Sequence, residues 1–115
     1  MSEKIRVVMC PARRAPYITE IGSSLKSMQE AVGGYIECVT QDDGSVIICN
    51  EEGRLLCMPD NKSLPGLVGD CFICGSAGEE LVGLSENEAA AWLHVCRKHY
   101  QHNGVRYVRK AWCGA

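Results

Sequence analysis

The sequence predicts an α+β fold, a mostly antiparallel mixed sheet of about five to seven strands with two helices packed on it, and three observations carry that reading. A helix-like stretch stops on Gly33-Gly34 and runs directly into Tyr35-Ile36-Glu37-Cys38-Val39. That run turns at Asp42-Asp43-Gly44 and returns as Val46-Ile47-Ile48-Cys49-Asn50 before Glu51-Glu52-Gly53. Ser85 and Glu88 then open a second helical pattern.

Taken in order, Ile5 to Met9 reads as a short apolar strand, and Pro11-Ala12-Arg13-Arg14-Ala15-Pro16 as a proline-bracketed turn into Tyr17-Ile18-Thr19-Glu20-Ile21, which makes a hairpin. Gly22-Ser23-Ser24 offers an N-cap hydroxyl, and Leu25, Met28 and Val32 recur at helical spacing as the stripe of a first helix. Gly33 supplies its left-handed C-terminal residue. After the two strands of the central hairpin, Arg54 to Met58 reads as another strand closed by Pro59, and Asp60 to Gly66 as a polar, mobile connection over the sheet. Leu67 to Cys74 reads as a further strand with its turn at Gly75 to Gly78. In the second helix Ser85 and Glu88 form a capping box, Leu84 and Ala89 a hydrophobic staple, and Ala89, Trp92, Leu93 and Cys96 the apolar stripe. Gly104 is the last expected stop of that helix, with Val105 to Trp112 a final strand or an extension packed on a partner.

At 115 residues the chain is the size of one domain and can bury a core without disulfides or metal. The expected organisation is a single α+β domain over 1–96 with a basic C-terminal extension over 97–115, packed on the same domain or on a partner subunit. A formal charge of −2 gives no global pull toward nucleic acid, but the charge is split along the chain. Glu30 to Glu88 holds twelve acidic residues against Arg54 and Lys62, whereas Ala89 to Ala115 holds Arg97, Lys98, Arg106, Arg109 and Lys110 with no acid. No apolar signal core follows Met1-Ser2-Glu3-Lys4 and the apolar runs are strand-length, so the expectation is a cytoplasmic protein with no membrane association. The eight cysteines then read as reduced thiols, with Cys10, Cys38, Cys49 and Cys57 as small core hydrophobes.

Three constellations could carry chemistry. Cys71-Phe72-Ile73-Cys74-Gly75 has the spacing of a zinc knuckle, and Cys96 and His99 would complete a tetrahedral set with Cys71 and Cys74. The same letters also fit a buried strand with Cys71 and Ile73 on one side and Phe72 and Cys74 on the other, or a redox-active pair. All three histidines lie between His94 and His102, so nothing in their spacing demands a nucleophile–base pair, and the paired acids at Asp42-Asp43, Glu51-Glu52 and Glu79-Glu80 each sit beside a turn glycine. Binding is better supported than catalysis. Arg13 and Arg14 at a hairpin tip and the aromatics Tyr17, Tyr35, Tyr100, Tyr107 and Trp112 supply cations and flat faces of the kind that hold nucleotides.

The stretch Ser24 to Glu37 with its Gly-Gly-Tyr-Ile-Glu motif, Val46 to Gly53 with its Asn-Glu-Glu-Gly motif, Leu67 to Ile73, and the helix opening at Leu84-Ser85 together resemble the domain of unknown function numbered 3846. The likeness covers Ile5 to Cys96. It implies a small protein or module carried by bacteriophages and other mobile elements, without a known enzymatic reaction, and with ordinary strand residues where this chain has Cys71 and Cys74. The resulting expectation is a non-enzymatic counter-defence protein that sequesters a nucleotide-derived immune signal in a homo-oligomeric pocket, needs no cofactor, and contacts its ligand through Arg13, Arg14, Tyr35, Asn50 and Asn61. Two alternatives remain: a module that inhibits a host protein through an exposed sheet edge or the basic arm, and a zinc-stabilised nucleic-acid-binding protein, which the near-neutral charge disfavours.

Overall fold

The computed structural model describes the backbone of residues 3–113 and the side chains of residues 3–102. Its elements run β1 (Lys4–Cys10), β2 (Tyr17–Gly22), α1 (Leu25–Val32), β3 (Ile36–Thr40), β4 (Val46–Asn50), β5 (Cys71–Ala77), β6 (Glu80–Val82) and α2 (Glu86–Cys113). The strands form one antiparallel sheet in the order β2-β1-β5-β4-β3, with β6 added to β5. This is the α+β fold the sequence predicts.

Alternation along the strands feeds two separate cores, because successive side chains leave opposite faces of a sheet. Val8, Cys10, Ile47, Cys49, Cys71 and Ile73 join Leu84, Ala89 and Cys96 on the α2 side. Ile5, Val7, Val46, Ile48, Phe72 and Cys74 join Met28 and Val32 of α1 on the other. The helices therefore cover opposite faces of the same sheet. Met28 and Val32 are each 3% exposed, and burying side chains of this size contributes roughly 1.5–3 kcal/mol apiece. Leu25, expected in the same stripe, is 58% exposed and takes no part in the core.

Both ends of α1 follow their residues. Ser24 is extended and its Oγ accepts from Ser27 N at 3.1 Å, while Gly33 takes φ 83° and the amides of Gly33 and Gly34 donate to Gln29 O. The start of α2 is a reciprocal capping box: Glu88 N donates to Ser85 Oγ at 3.1 Å and Ser85 N donates to Glu88 Oε1 at 2.8 Å. The helix does not stop at Gly104; its backbone continues to Cys113, so no strand forms over Val105 to Trp112. Whether 97–115 packs on the domain or on a partner rests largely on side chains beyond residue 102, outside the described ones.

Two strand expectations are corrected. Arg54 to Met58 is a helical turn, with Leu56 N donating to Glu52 O and Met58 N to Gly53 O. Asn50 opens it, its Oδ1 accepting from Glu52 N at 2.7 Å. The turn ends on Cys57 at φ 56°, the one positive φ of a non-glycine residue among the described ones. The strand expected from Leu67 begins only at Cys71, because Gly69 at φ 76° breaks the extended chain, and it continues through Gly75 to Ala77. The turn then falls at Gly78, and β6 pairs back with Ala77 opposite Glu80.

Candidate interaction site

The C-terminal ends of β1 and β4 and the N-terminal ends of β3 and β5 meet at one end of the sheet, since Cys10 lies opposite Cys71, Ile48 opposite Phe72, and Ile36 opposite Asn50. All five residues expected to touch a ligand belong to this end. The structure gives them different tasks.

Asn61 is 2% exposed and all four of its hydrogen-bonding positions are used. Its Nδ2 donates to Cys10 O at 2.8 Å and Gly69 O at 2.9 Å, and its Oδ1 accepts from Ser63 N and Leu64 N, both at 2.9 Å. It therefore cannot serve a ligand, and the segment around it is not the loose connection expected: Ser63 and Leu64 are buried, and Asn61 N donates to Leu67 O. Asn50 is likewise buried, with Nδ2 donating to Val32 O at 3.1 Å and Oδ1 occupied by Glu52 N. A Cβ on Gly34 would lie 2.9 Å from Asn50 Nδ2, and one on Gly53 would lie 2.7 Å from Val68 Cγ2. The Gly-Gly-Tyr-Ile-Glu and Asn-Glu-Glu-Gly motifs are thus two halves of one lock between the end of α1 and the end of β4. Close packing accounts for Gly34 without any ligand.

Arg13 and Arg14 are exposed on the β1–β2 loop, which is held from below: Ala12 N donates to Asp70 Oδ1 at 2.9 Å, and Lys62 N donates to Ala12 O at 3.1 Å. Tyr35 is 66% exposed just before β3, at the far side of the same sheet end. Beside it the helical turn projects Leu55, 78% exposed, and Leu56, 54% exposed. A cleft of about 380 Å³ opens between β3, this turn and the 66–68 segment, lined by Glu37, Glu51, Glu52, Leu55, Leu67 and Val68 among others. Arg54, its one cation, donates to Gly66 O at 2.5 Å. The electrostatics are those of an acidic groove with apolar lips, the opposite of a phosphate cradle.

The zinc set does not assemble. Cys71 and Cys74 lie three residues apart on a regular strand and enter opposite cores, His99 is exposed, and Cys96 sits against Cys10. Among the described residues no group of three or more potential ligands converges. Cys10 directs its S–H at Cys96 Sγ, 3.7 Å away, and that hydrogen bond together with burial pushes the Cys10 thiol up. Burial pushes Cys71 and Cys74 each up to about 12, which keeps them protonated and unreactive at neutral pH. Cys38 and Cys57, expected in the core, are exposed.

The exposed edge is the feature that sequence reasoning left least specified. Glu51 N donates to Tyr35 O and Gln41 N to Ser45 O, which fixes the hydrogen-bonding phase of the β3–β4 pair. Glu37 and Val39 therefore direct their backbone groups to β4, and Ile36, Cys38 and Thr40 direct theirs outward. β3 is the last strand of the sheet on this side. Fold and site together define a small antiparallel α+β module in which the β3 edge lies beside an acidic groove. The family model for a domain of unknown function, DUF3846, matches residues 5–97, and the chain belongs to that family. No curated protein and no solved structure matches it. Among the described residues no helix is long and apolar enough to cross a membrane.

Proposed function

We propose that this chain is a non-enzymatic binding module, carried by a phage or other mobile element, that captures a segment of a host protein in the host cytoplasm by adding it as a strand to β3. The outward backbone groups of Ile36, Cys38 and Thr40 carry this reading, with Tyr35, Leu55 and Leu56 as apolar anchors at one end. An edge of this kind binds through main-chain hydrogen bonds and needs no reactive side chain. Selection of a random displayed peptide library on the immobilised chain should yield peptides whose affinity falls at least tenfold on Thr40→Pro. That substitution removes one outward N–H and none of the bonds to β4. Equal binding to a Thr40→Pro variant of unchanged melting temperature would refute the reading.

A second reading, enclosure of a nucleotide-type signal by a homo-oligomer, draws on the exposed Arg13 and Arg14. It no longer has Asn50 or Asn61 as contacts, and the neighbouring groove is acidic. A melting-temperature panel of cyclic and linear nucleotides tests it: a true ligand at a hundredfold its dissociation constant adds about 2.7 kcal/mol of stability. No shift with any of them removes it.

A further inference from the structure

Strand addition leaves open what the added strand is made of, and the two faces beside β3 differ enough to answer. Glu37 shares its face with Val39, on the α2 side, where the groove also presents Glu51 and Glu52. Ile36, Cys38 and Thr40 share the other face, where Ile36 packs against the α1 core. Alternate side chains of an incoming strand would therefore lie beside carboxylates on one face and beside apolar or neutral groups on the other.

Resting on the strand-addition reading, we propose that β3 selects an extended cationic segment in which Lys or Arg alternates with apolar residues over about five positions. The groove's single guanidinium is turned onto Gly66 O, and the three acidic residues that line the groove, Glu37, Glu51 and Glu52, are all exposed. Edge strands usually defend themselves with a proline, a bulge or a charge. From Ile36 to Thr40 there is no proline, the register with β4 is unbroken, and the single charge is Glu37. One carboxylate on an otherwise open edge acts as a filter: it repels acidic strands, including the β3 of a second copy with its own Glu37, and attracts basic ones. Basic residues also suit the apolar lips, since a Lys or Arg stem packs along Leu55 and Leu67 while its charge reaches a carboxylate.

Fluorescence anisotropy with four labelled hexapeptides at low salt tests this: alternating Lys/Val, alternating Thr/Val, alternating Glu/Val, and the Lys/Val peptide with every backbone nitrogen methylated, so that neither of its edges can donate. The Lys/Val peptide should bind, the Thr/Val peptide more weakly, and the Glu/Val and methylated peptides not measurably. Replacing Glu37, Glu51 and Glu52 together by Gln should weaken the Lys/Val peptide roughly five- to thirtyfold, as loss of several exposed ion pairs predicts, and 0.5 M salt should weaken it similarly. Thr/Val binding as tightly as Lys/Val, with no effect of the triple substitution, overturns the charge preference while strand addition stands. A methylated peptide that binds as well as its parent overturns strand addition itself, because methylation removes the backbone donors and spares the charges. Native mass spectrometry showing a dimer that no peptide displaces overturns both, with β3 then taken by a second copy.

Discussion

Asn61→Ala should lower the unfolding free energy by roughly 2–5 kcal/mol, because it takes a hydrogen-bond partner from four buried backbone groups, each loss costing on the order of 1 kcal/mol. The groups are the carbonyls of Cys10 and Gly69 and the amides of Ser63 and Leu64. Against the usual total of about 5–15 kcal/mol for a domain, that is a large fraction. Urea unfolding at pH 7 reads it directly. The Asp variant sharpens the test: it keeps an oxygen for the two amides but turns a second oxygen on the two carbonyls, so it should be at least as damaging at neutral pH and partly rescued on acidification, when the carboxyl regains a donor. A loss below about 1 kcal/mol for Asn61→Ala would show that the segment over the sheet end is held by something else.

Stability should also fall steeply in alkali. An unfolded thiol ionises near 9, whereas Cys71 and Cys74 hold their protons until about 12, chiefly because burial disfavours the thiolate. Between those values the folded chain binds more protons than the unfolded one, so stability decreases as pH rises. Each thiol contributes a loss approaching 1.4 kcal/mol per pH unit, and the two together lower the melting temperature by about 10 °C from one unit to the next. Tyrosines and lysines titrate in the same range, so the diagnostic is a difference: Cys74→Ala should reduce the slope above pH 9 by up to about 1.4 kcal/mol per unit. An unchanged slope would mean that the thiol is not shielded in the folded chain.

Much of the fold was readable because its turns and caps are chemically explicit. Ser24, Gly33, Ser85 and Glu88 do what their residue types favour, and the double alternation around Cys71 to Cys74 shows which of three readings of the same four letters holds. Arg54 to Met58 carries two opposed signals. Leu55 and Leu56 suggest a strand, yet Asn50 followed by Glu51 and Glu52 is also a helix-start signal, a capping amide with acids in the first turn. The capping signal prevails in the structure, and the two leucines are exposed. Asn50 and Asn61 read as ligand contacts in the sequence because a polar residue beside a loop carries no mark of its partners. Only the fold shows that those partners are backbone groups, two of which, Val32 O and Cys10 O, lie 18 and 51 residues away in sequence. An exposed sheet edge is among the sequence-based expectations, but which strand forms it is not legible, because strand order is a long-range property that no local pattern encodes.

The sheet has two dissimilar ends. The one opposite the groove is finished by tight hairpins, Gly44 at φ 91° and Gly78 at φ 64°, drawn together where Ser76 Oγ donates to Gly44 O at 2.7 Å. A Cβ added at either glycine would meet nothing within 4 Å. Those bends are the natural points for a reporter, a tether to a sensor surface or a spliced fusion, since cargo mounted there leaves the opposite rim unobstructed and presents every molecule in the same orientation.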